Sequence, residues 1–203
     1  MKLVFGVIFA RGRENYTTYL FAGTVFFNFF KEATKGGMTA LTGNSSIFTK
    51  INVPKYLFLL SKNVSAVINF GLTLVLFFVF AAIDGVDFGW HFLMLLYPIL
   101  YLILFNVGVG LILSVLAVYF RDIEYIWDVL TRLLLYTVPI LYPLQKITRD
   151  WTMWLIKINP LYSMIELFRQ CLLYGTDMST QLLAYATVVS LATLAIGIFV
   201  FNK

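Results

Sequence analysis

Apolar residues fall along this chain in long runs broken by short charged interruptions, not in the alternating or striped patterns of soluble elements. A helix crosses the hydrocarbon core of a membrane in about 20 residues. Runs of that order occur at about 16–37, 57–83, 92–120, 125–142 and 180–201. Residues 1–10 are apolar but too short to cross. Arg11-Gly12-Arg13-Glu14 follows them where a signal peptide would carry small residues, so they read as the back half of a truncated first span. The segment 143–178 is apolar yet holds Lys146, Arg149, Lys157, Glu166 and Arg169, too much charge to span. The pattern predicts an all-α polytopic membrane protein with one transmembrane domain over 1–203.

The non-spanning segment has its own periodicity. Trp151, Trp154, Leu155 and Ile158 recur at i, i+3, i+4, i+7 and predict a short amphipathic helix. Asn159-Pro160 ends it and starts another, because asparagine suits an N-cap and proline the first helical position. On this second helix Glu166, Arg169 and Gln170 share a polar face, and Met164, Phe168, Cys171 and Leu172 an apolar one. Gly175 is the C-terminal stop. Two short helices within 149–174 therefore dip into the outer interface, or form a surface hairpin that only anchors the protein.

The stretch 118–144 combines a charged knot, Arg121-Asp122-Ile123-Glu124, with a span that carries Arg132, Pro139 and Pro143. Charge and freed backbone groups are tolerated at membrane depth where they face protein or a water-filled cavity, so this stretch predicts a path for something polar. Arg132 stands one turn from Asp128. It either makes a local i, i+4 ion pair or faces a conduit for an anionic or hydroxyl-rich solute.

Composition sharpens this reading. The chain is 61% apolar and 12% charged, against about a quarter charged in soluble domains, which excludes a soluble fold. The net charge of +5 is best read through topology. Lys31, Lys35, Lys50, Lys55 and Lys62 cluster around one connection, whereas 84–91 has no lysine or arginine. That places the lysine cluster, Arg121 and Lys203 in the cytoplasm and 143–178 outside. No basic, aromatic-interleaved run suggests nucleic acid. The single Cys171 excludes an internal disulfide and reads as apolar filler, and the single His91, beside Trp90, reads as an interfacial residue.

No phosphate loop, zinc motif or clustered acid and histidine occurs, so no catalytic residue, metal or resident cofactor is expected. The acidic pairs Asp84/Asp87 and Asp122/Glu124 read as solvated loop pairs. Acids at span ends, apart from Asp128, argue against gradient coupling. The loop 43–56 offers Asn44 and Ser45 as helix starts and Pro54 as its close. A short helix bearing Ile47, Phe48 and Ile51 would dock on a soluble partner, and an ordinary interfacial loop is the alternative. Tyr97, Tyr101, Tyr136 and Tyr142 suit interfacial belts or the apolar faces of sugars.

Val118-Tyr-Phe-Arg-Asp-Ile-Glu-Tyr125, Val138-Pro-Ile-Leu-Tyr-Pro-Leu144, Asn159-Pro-Leu161 and Glu166-Leu-Phe-Arg169 together resemble the permease subunits of ABC exporters for O-antigen and teichoic-acid polysaccharides. Val4-Phe-Gly6, residues 19–23 and residues 50–55 match the same pattern in order. The resemblance implies a six-span type-2 ABC exporter permease in the bacterial inner (plasma) membrane, with a truncated first span and two short extracytoplasmic gate helices. It implies a homodimer that works with ABC ATP-binding subunits, which would hold ATP and Mg. By the same resemblance Ile47, Phe48, Lys50, Ile51 and Pro54 contact the ATPase. Lys55, Arg121, Asp122 and Glu124 form a cytoplasmic substrate entrance. Arg132, Tyr136, Pro139, Tyr142, Pro143, Trp151, Trp154, Glu166 and Arg169 line the channel and gate.

The implied substrate is an undecaprenyl-diphosphate-linked glycan, whose pyrophosphate calls for cationic donors such as Lys50, Lys55 and Arg121. Two departures stand out: the family's N-terminal interfacial helix is missing, and the tail stops at Lys203 just after the last span. Arg132 also replaces the uncharged polar residue often found there. An ABC permease for drug or lipid efflux is the alternative, followed by a gradient-driven transporter or a membrane enzyme.

Overall fold

The computed structural model describes residues 16–43, 54–86, 90–140, 156–174, 176 and 178–202. The regular elements among these residues are all helical. α1 is Tyr16–Thr42, α2 is Tyr56–Ile83, and a 3-10 helix Trp90–Leu95 leads into α3, Leu96–Tyr119. α4 is Ile123–Thr137. α5 is Pro160–Arg169, continued by a π-helical turn Gln170–Tyr174, and α6 is Thr180–Phe201.

Three segments, Tyr56–Ile83, Phe92–Tyr119 and Thr180–Phe201, are long and apolar enough to cross a membrane. They match three expected spans. The expected span at 16–37 is helical too, but it is the interior helix of the bundle. α1 packs against α2, α3, α4 and α5, and several of its polar side chains are met by protein. Thr18 donates to Asp84 at the end of α2 (2.7 Å), and Glu32 accepts from Asn69 of α2 (2.6 Å). Its modest hydropathy reflects an inward location, since a helix facing protein does not need a lipid-like surface. By contrast Leu72, Leu76, Val79 and Ile83 of α2, and Val188, Leu191 and Phe199 of α6, are exposed and form the apolar outer faces.

The span expected at 125–142 is shorter than its sequence suggested. α4 has 15 residues, about 22 Å at 1.5 Å per residue, against a hydrocarbon core about 30 Å thick. Its backbone turns extended at Val138, because a proline disfavours helical geometry in the residue before it. Val138, Pro139 and Ile140 then turn into the protein interior. The remainder of that expected span, 141–142, lies outside the described residues, as do 1–15.

The core is built on α1. Phe26, Phe29 and Phe30 pack against Phe70 of α2, Phe105 of α3 and Phe168 of α5, with Phe29 and Phe70 stacked at 4.2 Å. Backbones approach closely at two crossings. A Cβ on Gly37 would sit 2.8 Å from Gly110 Cα, and one on Gly108 would sit 2.7 Å from the α6 backbone at Thr193 and Leu194. Small residues at such crossings are the usual solution in membranes, where apolar surface alone does not drive helices together.

α5 starts as its sequence predicts. The Asn159 side chain accepts from Leu161 N at 3.0 Å, with Pro160 in the first helical position. Asn159→Ala is expected to cost about 1 kcal/mol, read as a lower midpoint in a denaturing-detergent titration. An unchanged midpoint would mean the cap carries no stability.

Candidate translocation site

α3 ends at Tyr119, Phe120 turns extended, and Ile123 N donates to Phe120 O (3.2 Å) to close the turn into α4. This turn exposes Arg121 and Asp122. It also brings Arg121 and Glu124 to an open cleft of about 690 Å³ that Lys55 enters from the base of α2. Thr39 and Thr42 of α1 add hydroxyls, and Met38, Leu41 and Val118 an apolar wall. The expected entrance residues Lys55, Arg121 and Glu124 therefore meet in one place. Asp122 stands outside the lining. Two cations against the one carboxylate of Glu124, with two hydroxyls and an apolar wall, suit a ligand with an anionic head and an apolar tail.

One helical turn deeper, α1 and α4 are tied together. Lys35 Nζ donates to both oxygens of Asp128, at 2.9 and 3.2 Å, and lies 3.8 Å from Glu124. Trp127 Nε1 donates to Thr34 Oγ1 at 3.2 Å. This removes one of the two readings of Arg132, the local ion pair with Asp128. Asp128 pairs across to α1, because Lys35 on the neighbouring helix points at it directly. Arg132 lies exposed on the same helix as exposed Tyr136, and no ion pair of Arg132 is found among the described residues. The pair Asp122/Glu124, expected to be simply solvated, is split: Glu124 joins Lys35, and Asp122 stays exposed. Lys35 had been read only as a topology charge. The signal that could have found it is Glu124 and Asp128 at i, i+4, two carboxylates on one helix face that call for a cation.

At the opposite end the structure corrects the expected polar face of α5. Arg169 is fully buried, although Glu166 and Gln170 are only half-buried. Its Nη1 donates to Pro139 O at 3.0 Å and its Nη2 to Tyr19 O at 3.1 Å. Its guanidinium lies 3.5 Å over the Tyr19 ring, and Glu166 is 4.0 Å away. Room for it comes from Gly23, where a Cβ would stand 2.7 Å from Nη2. α5 is thus neither a surface hairpin nor an interfacial float. Leu161, Met164, Ile165, Leu167 and Phe168 are buried too, and the helix enters the bundle. Cys171 is buried, as expected of apolar filler.

Of the other expected site residues, Pro54 is exposed and opens α2 through Leu57 N donating to its carbonyl (3.1 Å). Pro139 ends α4 and accepts from Arg169. Ile47, Phe48, Lys50, Ile51, Tyr142, Pro143, Trp151 and Trp154 lie outside the described residues, as do Asn44, Ser45 and Gly175.

Among the described residues, an all-helical bundle with apolar outer helices, a polar cleft at one end and a helix folded into the other is the architecture of a multi-pass membrane protein. The model of the ABC-2 type transporter family matches residues 1–173, and the chain belongs to that family. Its apolar helices and its relatives place it in the bacterial inner membrane. It is 27% identical over 195 residues to the O-antigen export system permease protein RfbA of Klebsiella pneumoniae, covering 93% of this chain and 73% of that protein. The RfbA of Myxococcus xanthus is 28% identical over 170 residues, covering 82% and 65%. The polysialic acid transport protein KpsM of Escherichia coli is 24% identical over 189 residues, covering 93% and 73%. The chain thus spans about two thirds to three quarters of these relatives' length.

Proposed function

We propose that this chain is the permease subunit of an ATP-driven exporter of lipid-linked polysaccharide, an O-antigen or a related cell-surface glycan such as teichoic acid. The observation that carries this reading is the cleft, where Lys55 and Arg121 share a mouth with threonine hydroxyls and an apolar wall. A polyprenyl-diphosphate-linked glycan has the matching parts: an anionic head, a hydroxyl-rich chain and an apolar tail. The names of the relatives, O-antigen and polysialic acid carriers, favour this class over drug or lipid efflux.

In this reading the Arg121 end faces the cytoplasm, and the 43–56 loop meets a separate subunit that binds ATP and Mg. Ile47, Phe48, Lys50, Ile51 and Pro54 make that contact. A second copy covers the exposed apolar face of α4, which carries Tyr125, Ile126, Val129 and Leu133. Arg132 on the same helix then lines the conduit between copies, and α5 with the segment before it forms the outer gate.

The test is export in a strain deleted for this chain and complemented with variants beside its ATP-binding partner. Arg121→Glu is expected to reduce surface glycan at least tenfold at equal expression, with lipid-linked glycan accumulating inside. Cys171→Ala is expected to export normally. Equal export by both variants would remove Arg121 from the entrance, and unchanged surface glycan in the deletion strain would overturn the function.

A further inference from the structure

Lys35 stands one turn, about 5.4 Å, above Thr39, a residue of the cleft wall. Its partner Glu124 lines the cleft itself, so the ammonium sits immediately behind the lining. We propose that Lys35 is an exchangeable cation: Asp128 and Glu124 hold it until a diphosphate entering the cleft draws it away, making it the first inward step of the anion path. This rests on the cleft reading above and assigns a further binding residue within it.

Four features support exchange over a fixed staple. Lys35, Glu124 and Asp128 side chains are 40%, 48% and 32% exposed, and ion pairs open to water are weak, so a doubly charged ligand outcompetes them. The staple between α1 and α4 exists without Lys35, in the Trp127–Thr34 hydrogen bond and the packing of Trp127 on Phe30. Asp128 would not be stranded, because Lys31 and Arg132 lie close enough to act on it electrostatically. A lysine, with its flexible four-carbon stem and three rotatable donors, suits such a move better than the planar fork of arginine.

The experiment measures binding of geranylgeranyl diphosphate to the permease with its ATP-binding subunit in nanodiscs. Inorganic pyrophosphate and geranylgeraniol serve as separate arms, and thermal midpoint is recorded alongside. Lys35→Ala is expected to raise the half-saturating concentration of both diphosphates about tenfold. Asp128→Asn, which removes a competing carboxylate, is expected to lower it severalfold. The swap of Lys35→Asp with Asp128→Lys is expected to keep the wild-type midpoint yet bind as weakly as Lys35→Ala. Geranylgeraniol should not distinguish the variants. A swap that restores binding together with the midpoint, or an Asp128→Asn variant that binds no tighter, overturns the exchange and leaves a staple. Diphosphate binding that falls with Arg121→Ala but ignores the Lys35 set sinks this inference alone. No diphosphate binding by the wild type sinks the cleft reading and this with it.

Discussion

Arg169→Leu is expected to lower the unfolding midpoint and to open the end of α4 to water while leaving helical content intact. The guanidinium joins three parts of the chain that are far apart in sequence: α5, the Tyr19 turn of α1 and the Pro139 carbonyl beyond α4. Tyr19 O lies within a helix and keeps its helical donor. Pro139 O lies outside one and relies on Arg169, with a longer bond from the Tyr19 hydroxyl at 3.4 Å. Leaving that buried carbonyl with only the long bond from Tyr19 costs up to about 1–3 kcal/mol, and losing the packing over Tyr19 adds to that. Arg169→Lys should fail to rescue, since one ammonium cannot reproduce a fork aimed at two carbonyls.

The readout is thiol labelling of Ile140→Cys in a Cys171→Ala background. Ile140 is fully buried, so labelling should be slow with Arg169 and at least tenfold faster without it. Gly23→Ala should produce the same phenotype, because its methyl would meet both Nη2 at 2.7 Å and Ile140 at 3.0 Å. Combining Gly23→Ala with Arg169→Leu should cost less than the sum of the two, as both break one clamp. Strict additivity, or unchanged labelling, would mean that Arg169 is buried without holding the end of α4 in place.

Gly108→Val should be the most disruptive single change in the bundle. A Cβ there would stand 2.7 Å from Thr193 C and Leu194 N, and Gly197 across the crossing has the same relation to Gly108 O at 2.6 Å. The atoms in the way are backbone, so no side-chain rotation relieves the clash, and α3 and α6 must separate. Overpacking costs about 1–3 kcal/mol where a core can adjust, and here it cannot adjust locally. The expected outcome is loss of the protein from membranes, scored by immunoblot. Gly71→Ala is the control: a Cβ at Gly71 meets nothing within 4 Å, and alanine favours the helix. Comparable levels of the two variants would disprove the close crossing.

Several features of this molecule were plain in the sequence because they depend on local chemistry. The runs at 57–83, 92–120 and 180–201 are long and predominantly apolar, so they announce themselves as membrane helices whatever they touch. Asn159-Pro160 caps α5 through its own backbone and needs no distant partner. The charged knot at Arg121 could be placed at a helix junction because four polar-rich residues between apolar runs have no other place to go. Its grouping with Lys55 came from the family resemblance, and both do line one cleft.

Other features could not be read this way. Arg169, spaced beside Gln170 and near Glu166, reads as the polar face of an amphipathic helix. Periodicity reports which residues share a face, but not whether that face meets water or two buried carbonyls and a tyrosine ring. Lys35 and Asp128 are separated by 93 residues, so each could be assigned only a local role, topology charge or partner of Arg132. The stretch 16–37 reads in the sequence as one more span, and that its Thr18 and Glu32 meet α2 and its end depends on contacts across the bundle. The sequence by itself determined the class of protein, the helices that face lipid, and the ends where charge collects, since these follow from the transfer of side chains between water and hydrocarbon. Only the tertiary structure decided which cation meets which carboxylate, which arginine is buried, and which glycines let backbones touch. Those outcomes depend on distances between segments remote in sequence, which no local pattern encodes.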